Sequence, residues 1–144
     1  MNSFRLLPVL VIFVACTTQD VGPVSRSAQF PEFPKDLFDA FKAACADPSE
    51  EFSQINRKSR ECRQFLPPEA TAYLILNFDG YPQKLPQSVM RLTATENQSG
   101  FRVDADMYLT VPQKDGSTLK VPVESKALDK KLSQLYRVSG GTPG

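Results

Sequence analysis

The sequence predicts an α+β fold: an N-terminal helix, an antiparallel meander of about four strands, and a C-terminal helix packed on one sheet face. Three stretches carry that expectation. From Phe101 to Val111, the residues Phe101, Val103, Ala105, Met107, Leu109 and Val111 alternate with Arg102, Asp104, Asp106, Tyr108 and Thr110, the period of a strand with one face turned inward. Leu37, Phe38, Phe41, Ala44 and Cys45 recur at spacings of three and four, as do Leu128, Leu132, Leu135 and Tyr136. Such spacing gathers apolar side chains on one stripe of a helix. Helices at both ends of a meander form a two-layer sandwich, because each apolar face then finds another.

Taken in order, the chain opens with one positive charge, Arg5, followed by an unbroken apolar run from Leu6 to Ala15. These are the charged and apolar regions of an export signal. The run is about half the roughly 20 residues needed to span hydrocarbon, and the polar Thr17-Thr18-Gln19-Asp20 follows at once. Phe13-Val14-Ala15-Cys16 resembles the lipobox of the bacterial lipoprotein class, in which small residues precede a cysteine whose thiol takes a diacylglyceryl group before cleavage. A thiolate is the nucleophile such a transfer needs. Phe13 stands where that class usually carries Leu. The resemblance implies a signal peptide over 1–15 and acyl chains on Cys16 that hold the mature chain to a membrane. It also implies a periplasm-facing location. Thr17 in place of Asp implies the outer membrane, with the inner membrane or a soluble periplasmic form as alternatives.

Residues 16–33 read as a flexible tether, polar and proline-punctuated, reaching at most about 60 Å when extended. A single α+β domain is expected over 34–138, with 139–144 as a tail. Helix one starts at Pro34, a residue suited to a first turn. Asp47-Pro48-Ser49-Glu50 has the pattern of a capping box and predicts a second short helix. If Cys45 and Cys62 pair, that helix cannot run straight to Cys62, which would then lie roughly 20 Å away at 1.5 Å per residue; bridged Cα atoms sit within about 7 Å. The polar Asn56–Arg60 is the expected turn, with Glu61–Leu66 returning extended. Ala72–Phe78 is the most apolar run after the signal and predicts a central strand. Ser88–Thr95 alternates with Met90, Leu92 and Ala94 inward. Lys114-Asp115-Gly116-Ser117 turns the chain into a strand carrying Leu119, Val121 and Val123, with Pro122 marking it as an edge. The last helix runs from about Ser125 to Tyr136 and stops at Gly140-Gly141.

Composition narrows the function. The full chain has 17 Lys and Arg against 16 Asp and Glu, and loss of Arg5 with the signal brings the balance to zero, so no nucleic-acid partner is expected. Without a single histidine, the chain lacks the usual base near neutral pH and the commonest zinc ligand. No catalytic residue, cofactor or metal is expected. Once Cys16 is taken by lipid, Cys45 and Cys62 remain as an even pair for a disulfide in an oxidising compartment. Asp104 and Asp106 share a strand face, but two carboxylates are too few for calcium. Candidate partner-binding residues are the basic cluster Arg57, Lys58, Arg60 and Arg63, and Asp79 with Tyr81 beside a turn. The expected activity is that of a non-catalytic interaction or assembly accessory module acting on another envelope protein, with strand addition at Leu119–Val123 as one mechanism. The alternative is a small-ligand or lipid binder, and an enzyme using carboxylates alone comes third.

Overall fold

The alternating run becomes the strand around which everything else is arranged. In a computed structural model describing residues 26–144, β5 (Gly100–Pro112) pairs with β4 (Gln87–Asn97) along all of β4, from Gln87↔Thr110 to Asn97↔Gly100. The turn between them needs glycine: Gly100 has φ +114°, and a Cβ there would lie 2.3 Å from the Phe30 carbonyl oxygen. The other side of β5 is shared. β1 (Ser27–Phe30) pairs with its first half and β6 (Thr118–Pro122) with its second. Outside β4 lie β3 (Ser59–Phe65) and then β2 (Glu50–Asn56), while β7 (Thr142–Pro143) borders β1. The result is a seven-stranded antiparallel sheet.

Two helices cover one face. α1 (Lys35–Ala44) buries Leu37, Phe38 and Phe41, and α3 (Lys126–Val138) buries Leu132, Ser133 and Tyr136. They meet Ala28, Phe30, Leu92, Ala94, Val103 and Ala105 from the sheet. Ser125 caps α3 as a serine should, its hydroxyl accepting from the Leu128 N–H. Tyr136 is fully buried, and its hydroxyl donates to the Arg26 carbonyl at 2.8 Å. Burial, reinforced by the charges of Asp104 and Asp106, pushes that phenol well above its ordinary pKa.

The α+β class, the antiparallel sheet, the first and last helices and the inward set Met90, Leu92 and Ala94 agree with expectation. The sheet has seven strands where about four were expected, and four details of the chain differ as well. The segment read as tether contains β1, because Ala28 and Phe30 alternate inward over only four residues, too short a pattern to stand out between prolines. The expected tail contributes β7 to the same edge. At Asp47 the capping hydrogen bonds do form: Ser49 N–H donates to Asp47 Oδ1, and Asp47 N–H to Glu50 Oε2. The chain nevertheless continues as β2, because pairing with β3 takes up its backbone groups. Ala72–Phe78 lies largely in α2 (Pro68–Asn77), not in a strand. Pro68 in the first turn and the helix formers Ala70, Ala72, Leu74 and Leu76 favour that outcome. Periodicity alone does not separate a short apolar helix from a buried strand.

The readings made for residues 1–15 and for Cys16 lie outside the described residues. Among the described residues, no helix is long and apolar enough to cross a membrane. Cys45 and Cys62 are bridged with Cα atoms 5.9 Å apart, and β2 and β3 supply the return path through a turn at Asn56–Ser59. The bridge closes a separation of 17 residues, which by loop entropy is worth about 3 kcal/mol. The double variant Cys45→Ser/Cys62→Ser should therefore lose about 3 kcal/mol in urea unfolding while keeping its far-ultraviolet circular dichroism. An unchanged midpoint would show that the bridge contributes nothing.

Candidate functional site

Register places two rows of side chains across the helix-covered face. Cys62, Met90 and Met107 are direct cross-strand neighbours on β3, β4 and β5. The next row contains Glu50, Gln64, Ser88, Leu109 and Val121. Over these rows, residues of α1, α3 and the sheet line a groove of about 460 Å³. Its floor is Cys62, Met90 and Met107. Ala40, Phe41, Ala44 and Cys45 form one wall, Leu135 lines the other side, and Glu50, Gln64 and Ser88 make a polar rim. The disulfide is part of the wall, tying the C-terminal end of α1 to the floor strand. The volume is within the usual range for small-molecule sites, and an apolar lining with a few polar groups at one side is their usual character.

The opposite sheet face is built around a buried acid. Glu61 is 1% exposed, and its carboxylate accepts from Arg63 Nε at 2.6 Å, from Arg91 Nε at 2.7 Å and from a second Arg91 nitrogen. Tyr108 adds its hydroxyl at 3.3 Å, and Lys120 stands over the Tyr108 ring. Burial pushes the Glu61 carboxyl up, but the Arg91 hydrogen bond and the charges of Arg63 and Arg91 together outweigh it. The group is held below its ordinary value of 4.5. Tyr108 moves up, first through burial and then through the nearby Glu61 charge. This cluster ties together β3, β4 and β5, and every polar group in it has a partner.

The residues singled out from sequence do not form one site. Lys58 pairs with Glu96 at 3.0 Å and stands over Phe101, while Arg60 lies over Phe38 on the helix-covered face. Arg63 projects to the other face, toward Glu61. Arg57 is exposed in the turn. The expected basic patch is thus divided by the alternation of β3. Asp79 (φ +53°) and Tyr81 follow α2; Tyr81 N–H bonds the Pro112 carbonyl, and its hydroxyl donates to Gln83. The hairpin that holds Arg57 lies level with Asp104 and Arg63 lies level with Tyr108, whereas Tyr81 is bonded at Pro112, so along β5 the turn is about 27 Å, and Arg63 about 14 Å, from Tyr81. Asp104 is engaged by Arg102 at 3.0 Å. Glu50 carboxylate oxygen and the two cysteine sulfurs lie within 4.8 Å of one another, but bridged sulfurs are not thiolate ligands.

Compared with known proteins, the chain matches no family model, no curated protein and no solved structure.

Glu61→Gln should destabilise the domain by about 2 to 3 kcal/mol near pH 7, at or below the low end for breaking a buried ion pair, because both guanidiniums keep roughly a third of their exposure. Since the folded carboxyl titrates below its ordinary value, its contribution is fully present above pH 4.5 and is lost as pH falls through the lower folded value. The gap between wild type and variant in thermal unfolding should narrow below pH 4.5. A gap constant down to pH 2 would contradict this assignment.

Proposed function

We propose that this chain is a lipid-tethered envelope module, non-catalytic, whose groove holds a small apolar molecule with a polar end. The groove carries the reading: two methionines and a bridged cysteine form its floor, and Glu50, Gln64 and Ser88 line one side. Methionine thioethers adapt to ligands of varied shape, which suits a hydrocarbon tail better than a rigid ring. A polar end at the rim would meet an amide, a hydroxyl and a carboxylate.

A second reading, docking of another envelope protein, is favoured by a different observation. Tyr73 and Leu76 on α2 are 61% and 80% exposed, and Phe65 and Leu85, which flank the helix in sequence, are about half exposed. Apolar side chains left in water at this density mark contact surfaces. β6 adds an open edge, with Pro122 limiting how far a partner strand could pair.

Two measurements test the proposal. A fluorescent long-chain fatty acid should bind saturably. Ala44→Leu, which narrows the groove from an exposed helix position, should weaken that binding at least tenfold, whereas Asp106→Asn on the opposite face should leave it unchanged. Equal binding by all three proteins would remove the groove from consideration. For the anchor, metabolic labelling with an alkyne-bearing palmitate should mark the wild type and spare Cys16→Ser. Equal labelling of both would refute attachment at Cys16.

A further inference from the structure

The chain enters its fold beside the groove. The Arg26 carbonyl accepts from Ala105 N–H at 2.9 Å and from the Tyr136 hydroxyl at 2.8 Å. Ala105 lies two residues before Met107 of the floor, about 7 Å along the strand, and Tyr136 follows Leu135 of the wall. The Arg26 side chain is held as well, by Asp129 at 2.6 Å and the Val123 carbonyl at 2.7 Å. Between Arg26 and Cys16 stand residues 17–25, a stretch that spans at most about 35 Å. A group carried on Cys16 therefore reaches the groove with slack.

We propose that the groove takes one of the ester-linked acyl chains of the diacylglyceryl group on Cys16 of the same molecule, so that the domain shields part of its own lipid when it is away from a bilayer. The proposal rests on the lipid-tethered reading above and names the occupant of that groove. A hydrocarbon chain matches the row Cys62–Met90–Met107, which runs about 10 Å across three strands. The slack in the tether brings the glyceryl ester oxygens to Gln64 and Ser88, both hydrogen-bond donors on the rim. Attachment through a short linker gives the chain an effective concentration on the order of millimolar, so a groove that binds free fatty acid only weakly still fills from within. In a membrane the bilayer competes for the same chain and empties the groove.

The sequence supplies a clean reporter. Of its three methionines, Met1 belongs to the signal, and Met90 and Met107 both line the groove floor. Acylated mature protein beginning at Cys16, labelled with ¹³C at the methionine methyl groups and freed of detergent, is compared before and after a lipase removes the ester-linked chains and albumin removes the released acids. Both methyl resonances should move on deacylation and return when palmitate is added. Acylated Ala44→Leu should show no lipase-dependent movement. Resonances that ignore the lipase but respond to added palmitate would overturn self-shielding and leave the groove reading intact. Silence toward both would overturn both. Movement that depends on protein concentration would assign the chain to a neighbouring molecule, and a Cys16 peptide without acyl mass would leave no chain to shield; either result overturns the proposal.

Discussion

The full-length pairing of β4 with β5 is the constraint on which the rest of the molecule depends. β5 has thirteen residues and gives one flank, from Gly100 to Thr110, to β4 while dividing the other between β1 and β6. Dividing that flank lets segments from opposite ends of the chain share one strand, and it brings β1 and β7 together, so that Gly144 N–H reaches the Ser27 carbonyl. Both helices of the core then land on the same face. Their stripes bury Leu92, Ala94, Val103 and Ala105 fully, and Cys62 and Met90 beyond them only in part. The groove is what remains where the stripes end and the strands continue.

The two faces of the sheet solve different problems. On the covered face, apolar burial holds the helices, and the Cys45–Cys62 bridge fixes the end of α1 where burial gives out. On the other face, three strands are joined through one carboxylate. A buried acid with two arginine partners adds little net stability relative to a well-packed apolar substitute, yet losing one member is costly. Such a cluster favours one strand register over its neighbours: a one-residue slip of β3 would turn Glu61 and Arg63 together toward the helices and leave the Arg91 guanidinium on β4 without its carboxylate.

Sequence patterns read well where they were long. Phe101–Val111 and the stripe from Leu128 to Tyr136 leave little room for another interpretation, and the turn at Asn56–Arg60 followed from the geometry of a cysteine pair. Short or symmetric patterns misled. Ala72–Phe78 is apolar on all sides, so no period distinguishes helix from strand, and the four residues of β1 carry only two inward side chains. The groove was half visible, since Met90 and Met107 both belong to inward sets. What joins them is a register, Cys62↔Met90↔Met107, that depends on three strands pairing without offset. Glu61 was hidden among the charges around it. Alternation puts it on the face opposite Cys62, and nothing local says that face is buried at that position.

The methionine floor also makes the groove sensitive to oxidants. A thioether converted to its sulfoxide becomes polar and chiral, a change reversed only by dedicated reductases. Met90 and Met107 are partly exposed where they line the groove, so two oxygen atoms would place strong dipoles on its apolar floor, where the proposed hydrocarbon would lie. The bridged cysteines beside them are already in their oxidised form. Oxidative stress would thus leave the scaffold standing while changing the affinity of the surface it frames.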